Sequence, residues 1–332
     1  MKIRKSLFVV MMLVLAMIIS ACGEKEATTG SGGGSGDSGD SKPKTLRILT
    51  GGTGGTYYPL GGSFGDIISD KTDYKATVQS SGASVENMQT LKSGDAEIAF
   101  SQTDIATYAL NGESMFKDNK IDNVLGLGTL YNETVQLITT EKSGIKSVED
   151  LKGKKVSVGA IGSGAYLNAT QVLEVHGLTV EDIQAQNLSF DESTEGIQGG
   201  SIDAAFVTAG TPTAAVETLS AQNDVVVVPL EADKVKELIE KYPFYSEDVV
   251  PSGTYKIGED VNTVAVKAML VVQDELAEDL VYDITKSIFE NTDKIAHAKG
   301  KLIKAETALE GIGDLKLHPG AEKYFKEKGV LK

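Results

Sequence analysis

From Thr45 onward, short apolar runs alternate with segments whose apolar residues recur every three or four positions. The runs ATVQSS, AEIAFSQ, VLGLGTL, TVQLITT, KKVSVGA, DAAFVTA and DVVVVPL are bounded by glycine or polar residues, which suits strands buried on both faces. Between them, Leu60, Phe64, Ile67 and Ile68 fall at helical spacing, as do Val85, Met88 and Leu91, and then Ala165, Ala169, Val172 and Leu173. Strands alternating with helices define an α/β class. The roughly 288 residues from Thr45 to Lys332 approach the size at which one core divides in two.

Two devices occur twice. LRILTGGTGGTYYPLGGSFGDII and KKVSVGAIGSGAYLNATQVLEVHG each run strand, glycine-rich turn, helix, with Thr56 and Ser163 placed as N-caps. LKSGDAEIAFSQTD and IQGGSIDAAFVTAG each read as a helix tail, a glycine stop at Gly94 or Gly200, a buried strand ending in Ala-Phe, and a polar loop. The four loops that follow these strands lie at strand carboxyl ends, the edge where ligands bind in open α/β sheets. Two similar halves facing across such edges form a clamshell with a ligand in its cleft. Gly54, Gly55, Gly162 and Gly164 are assigned to that site, because glycine on both sides of a cap exceeds what a turn requires. Ser81, Ser84 and Asn87 either line the cleft or cap a helix, and Tyr57, Tyr58, Tyr131, Tyr166 and Tyr255 either stack on a ligand or fill the lobe cores.

The glycines do not spell a nucleotide loop. Counting from Gly52 and Gly54, the third glycine of a dinucleotide fingerprint falls on Tyr57, and no Lys-Ser or Lys-Thr follows. Catalysis finds no better support. Ser163 and Ser84 lack the G-x-S-x-G frame, and His176, His297 and His318 show no metal-ligand spacing in the sequence, so no enzyme activity, metal or cofactor is expected.

The N-terminus bears on location. Lys2, Arg4 and Lys5 precede an apolar stretch from Leu7 to Ile19, and Ile19-Ser20-Ala21-Cys22 resembles a bacterial lipobox around the single cysteine. Residues 1–21 are accordingly expected to be a lipoprotein signal peptide, with Cys22 lipidated as the mature N-terminus. Residues 22–44 carry no aromatic residue and almost nothing aliphatic, and so are expected to form a flexible tether. Its reach is roughly 25 Å root-mean-square. Cleavage removes three positive charges and takes the formal net charge from −15 to −18. That acidity excludes nucleic acid as a partner. Only Arg4 and Arg47 occur, and only Arg47 survives cleavage, so an anionic ligand must be held by backbone amides, hydroxyls, side-chain amides or lysine.

The stretches GGTGGTYYPLGGSF, SSGASVENMQTLKSGDAEIAFSQTD, VGAIGSGAY, GGSIDAAFVTAGTP, YPFYSEDVVPSGTY and HPGAEKYFKEKG resemble, in family order from Leu46 to Lys332, the TAXI family. These are the extracytoplasmic solute-binding subunits of one branch of the tripartite ATP-independent periplasmic (TRAP) transporters. The resemblance implies a two-lobed periplasmic-binding-protein fold of type II that closes on a small carboxylate, such as glutamate, glutamine or 2-oxoglutarate, and delivers it to the membrane subunits of an ion-coupled permease. It also implies that the carboxylate-clamping arginine of other TRAP binding proteins is missing, as it is from the cleft loops here. Carried over residue by residue, the family's ligand contacts fall on Thr53, Gly54, Tyr57, Ser81, Gln102, Ser163, Gly164, Ala165, Thr208 and Gly210. Residues 44–133 with 262–332 are expected to form one lobe and 134–261 the other, with segments Thr134–Thr140 and Asn262–Val272 crossing between them. The expected protein is a monomer, anchored by lipid to the outer face of the cell membrane. The rival of another kind is a binding protein that reports its ligand to a membrane receptor kinase.

Overall fold

The structure, a computed structural model, describes residues 45–332. Cys22, the leader and the whole tether lie outside the described residues. Among the described residues no helix is long and apolar enough to cross a membrane.

The first half builds a parallel trio. Strand β1 (Thr45–Leu49) lies between β2 (Lys75–Gln79) and β3 (Ile98–Gln102). Helix α1 (Tyr57–Lys71) buries Leu60, Phe64, Ile67 and Ile68, with Pro59 tolerated in its first turn. Helix α2 (Ser84–Ser93) buries Val85, Met88 and Leu91 and stops at Gly94, whose φ of 83° lets its amide and that of Asp95 turn back onto Leu91 and Thr90. Helix α3 (Thr103–Asn111) follows β3 directly. Contrary to the pattern, β2 is not buried on both faces; it is the sheet edge, and its burial alternates.

VLGLGTL and TVQLITT are not two strands but one, β4 (Val124–Thr140). The polar triplet Tyr131-Asn132-Glu133 does not break it, because Asn132 and Glu133 stay in register with Lys267 and Val266 of antiparallel β10 (Val261–Gln273). These two long strands run through the middle of the sheet, whose order is β2-β1-β3-β10-β4-β7-β5-β6. Beyond β4 stand the parallel strands β5 (Lys155–Ser157), β6 (Gln184–Gln186) and β7 (Ala204–Ala209). Helix α4 (Gly164–Val175) follows β5, and buries Ala165, Ala169, Val172 and Leu173. Helix α5 (Phe190–Gly199) ends on Gly200 at φ 74°, the second glycine stop. Helix α6 (Ala214–Gln222) follows β7; β8 (Val225–Val228) pairs with β4, helix α7 (Ala232–Lys241) comes next, and β9 (Ser246–Val250) pairs with β10. Helices α8 (Glu278–Phe289) and α9 (Pro319–Glu327) complete the chain.

The apolar residues sort into separate cores. One pair of clusters is centred on Phe64, Phe100, Leu270, Ile284 and Tyr324 and on Met88, Ile105, Phe116 and Met269. The other pair is centred on Val156, Val172, Phe206 and Val264 and on Ile138, Val207, Val216 and Tyr255. The molecule is thus a two-lobed α/β protein with a mixed sheet. The turns after β1, β3, β5 and β7 lie where the lobes meet.

Candidate functional site

Those turns enclose a cavity of about 50 Å³. One lobe supplies Gly51, Gly52, Gly55, Thr56, Tyr57, Ala83, Ser84 and Gln102 to its wall; the other supplies Ser163, Gly164, Ala165, Phe190, Thr208 and Ala209; Glu133 reaches in from the middle of β4. The opening of the first wall is braced from behind. Asn87 donates to the carbonyls of Thr50 and Phe100 at 2.7 and 2.8 Å and accepts from Ser81 Oγ at 2.7 Å, tying the ends of β1 and β3 together.

The lining offers two kinds of polar group. Tyr57 opens α1, and Gly164 and Ala165 open α4, positions whose amides have no acceptor inside their helices and so bind anions. Facing them are acceptors. Gln102 Oε1 and Thr208 Oγ1 are buried with no partner among the described residues, and a buried polar atom without a partner costs about 1–3 kcal/mol. Glu133, 2 % exposed, takes a 2.8 Å hydrogen bond from the Tyr57 hydroxyl, and Tyr57 stacks on Phe100. Burial pushes the Glu133 carboxyl up to about 8, against the opposing pull of Tyr57 and Gln102. Among the described residues it is the only carboxyl group in the lining, which holds no lysine, arginine or histidine. Arg47 is elsewhere, on Glu97 at 2.8 Å.

Of the predicted site residues, Gly55, Tyr57, Ser84, Gln102, Ser163, Gly164, Ala165 and Thr208 line this cavity together. The other five do not. Thr53 Oγ1 donates to Asp191 in the opposite lobe at 3.0 Å, and the Gly54 carbonyl accepts from the Ala215 amide at 3.2 Å. The Gly162 carbonyl takes the amides of Val85 and Glu86, and the Gly210 carbonyl takes the Thr56 hydroxyl. These four form a seam that holds the lobes shut. Ser81 is the brace described above.

Two expectations need correction, and the alternatives left open for the tyrosines are resolved. Thr56 stands at the N-cap of α1 but makes no side-chain cap, since its hydroxyl crosses to Gly210; Ser163 does cap α4, accepting from the Tyr166 amide. Of the tyrosines only Tyr57 lines the cavity: Tyr58 and Tyr166 are exposed, Tyr131 is buried in the core, and Tyr255 donates to Gln136 inside the second lobe. His176 does have carboxylates at ligand distance, because folding brings its ring within 4.8 Å of Glu149 and Glu231 oxygens. Its ring nitrogens lie 2.7 Å from the Val172 carbonyl and 3.1 Å from Glu231, so it clips α4 to the start of α7. His318 accepts from the Gly320 amide on one ring nitrogen, and its other stands 3.0 Å from the Leu276 carbonyl.

The sequence reading missed Glu133. It treated Tyr131-Asn132-Glu133 as the gap between two strands. The usable signal was an ionisable residue inside a run of strand-forming residues, which must be paired or neutral if buried.

Solved structures of similar fold place this geometry in a class. A protein of Bordetella bronchiseptica RB50 superposes with a TM-score of 0.53 at 18% identity, covering 87% of this chain and 81% of its own. PhnD1 from Prochlorococcus marinus (MIT 9301), solved in complex with methylphosphonate, gives 0.52 at 12% identity over 87% of this chain and 97% of its own. Two α/β lobes with a cleft at the strand ends make this a periplasmic-binding-protein-like fold of type II. By sequence the chain belongs to the NMT1-like family, whose model matches residues 48–329.

Proposed function

We propose that the chain is an extracytoplasmic solute-binding protein that closes on a small carboxylate and hands it to a membrane transporter. The observation that carries this reading is the lining itself: helix-start amides at Tyr57, Gly164 and Ala165 beside the unpartnered Gln102 Oε1 and Thr208 Oγ1, shut in by contacts between lobes. A cavity of about 50 Å³ is small against the several hundred Å³ of sites that take drug-sized guests, which favours a small ligand.

The resemblance to the TAXI family makes an ion-coupled TRAP permease the favoured receiver and a glutamate-like acid the favoured cargo. We assign residues 44–133 with 262–332 to one lobe and 134–261 to the other; the separate apolar cores support two lobes, with Val264 and Val266 of the crossing strand β10 packing in the second. Cys22 is assigned as the lipid anchor that keeps a monomeric protein at the outer membrane face. A thermal-shift screen of the full chain against amino acids and mono- and dicarboxylates tests the capture role: a ligand at a hundred times its dissociation constant adds about 2.7 kcal/mol of stability. If no small carboxylate shifts the melt at millimolar concentration, the reading is wrong. Uptake into vesicles carrying the partner permease, driven by an ion gradient without ATP, separates a TRAP receiver from an ATP-driven importer.

A further inference from the structure

We propose that Glu133 and Gln102 Oε1 form an ammonium subsite, so that the guest is a zwitterion, a small α-amino acid, and not a bare mono- or dicarboxylate. This rests on the capture reading above and narrows it.

The orientation of Gln102 is set from behind. Asn168 Nδ2 donates to Asp104 Oδ2 at 3.1 Å and to the Tyr245 hydroxyl at 2.8 Å, while that hydroxyl gives its own hydrogen to Gln171 Oε1 at 2.6 Å. Asn168 therefore presents Oδ1 to Gln102, which answers with Nε2 at 3.2 Å. Gln102 Oε1 is left facing the cleft against Gly164, with no donor to meet it.

Glu133 adds a second acceptor. Its closest donor is the Tyr57 hydroxyl, with Gln102 also pulling on it, and the charged or titratable groups around it are Tyr57 from α1, Tyr131 from β4, Asp104 from α3 and Lys299 from the 298–302 turn. Lys299 is outside the lining. A carboxylate guest alone would thus set its charge beside two buried acceptors and hold Glu133 further toward its neutral form, with no cation in the lining. An ammonium has three donors and one positive charge, and fits two buried acceptors. The α4 amides start at Gly164, beside Gln102 Oε1, so donors for a carboxylate and acceptors for an ammonium stand side by side. An α-amino acid carries the two groups one carbon apart.

The test is calorimetry on the full chain with each common α-amino acid and its 2-oxo and des-amino counterparts; L-glutamate, 2-oxoglutarate and glutarate form one such set. The tightest ligand should be an amino acid, with both counterparts weaker by about 100-fold. Glu133→Gln should lose a similar factor and leave less than about fivefold preference for the ammonium form. Because an ammonium favours the ionised carboxylate, binding at pH 7 should release a proton, read as a dependence of the heat on buffer ionisation enthalpy. A des-amino acid or 2-oxo acid binding as tightly as its amino acid, or a folded Glu133→Gln variant that keeps the preference, overturns the subsite while leaving the capture role standing. Silence from every compound overturns both. If Glu133→Gln fails to fold, the wild-type series and the proton release decide.

Discussion

The two glycine-rich turns are near-copies in sequence and differ in what glycine does for them. In the second, Gly159 and Gly162 adopt φ of 93° and 83°, a region that side-chain-bearing residues avoid, and Ser163 caps the helix that follows. In the first, no glycine from Gly51 to Gly55 has a left-handed φ, and Thr56 caps nothing. There the missing side chains make room for other chain: a Cβ on Gly54 would stand 2.2 Å from Asp191 Oδ1 in the opposite lobe, and one on Gly51 would press on Ala83. Similar strand–turn–helix strings thus answer two different demands, one local and conformational, the other steric and, at Gly54, set by the opposite lobe. Gly164 combines the second demand with the site, since a Cβ there would lie 1.7 Å from Gln102 Oε1.

The comparison predicts a graded set of outcomes. Gly164→Val has the largest effect: its φ is not left-handed, so the ligand-free melt should hardly move, but Gln102 is pinned by Asn168 and cannot yield. Ligand affinity should fall by at least about 100-fold, the loss expected from more than one charge-assisted hydrogen bond. Calorimetry showing wild-type affinity in a folded variant would remove Gly164 from the site.

Gly162→Ala comes next and acts on the fold. Its new Cβ meets only ordinary contacts, 3.4 Å at the nearest, so the cost is backbone strain of about 1–2 kcal/mol, visible in denaturant melts with or without ligand. An unchanged melt would mean that the second turn uses glycine as the first does.

Gly54→Ala should do the reverse, sparing the ligand-free melt and weakening binding about tenfold by hindering closure. Truncating the atom it meets, with Asp191→Ala, should restore most of that loss. A double variant no better than Gly54→Ala alone would place the obstruction elsewhere.

The smallest difference separates the cap residues. Ser163→Ala should cost about 1 kcal/mol of stability, whereas Thr56→Val should leave stability within about 0.5 kcal/mol and only loosen closure. Melting curves for the pair check this directly; equal losses would show that Thr56 caps α1 after all.

Much of this site was readable in one dimension. Periodicity marked the buried stripes of α1, α2 and α4, glycine placement marked the stops at Gly94 and Gly200, and the family resemblance together with the glycine and serine pattern named eight residues that line the cavity. The misses share a cause. Thr53, Gly54, Gly162 and Gly210 lie in the right loops, but which residues of a loop face inward depends on the partner lobe, and their contacts are to residues tens to more than a hundred positions away. Glu133 was hidden because a strand's polar interruption looks like a turn until its pairing with β10 is known.

What the sequence determined alone is therefore local: alternating strands and helices, two repeated strand–turn–helix devices, a helix cap at Ser163, and the scarcity of arginine that leaves anion binding to backbone amides. Those features depend on residues within a turn or two of each other, where spacing and side-chain chemistry suffice. The tertiary structure decided the rest: that β4 continues through Asn132 and Glu133, that burial beside Tyr57 raises the Glu133 carboxyl, and that Gln102 turns its oxygen to the cleft. Each of these depends on burial and on hydrogen bonds between distant segments. A carboxyl's charge and an amide's orientation are settled by what surrounds them in space, and no spacing along the chain specifies that.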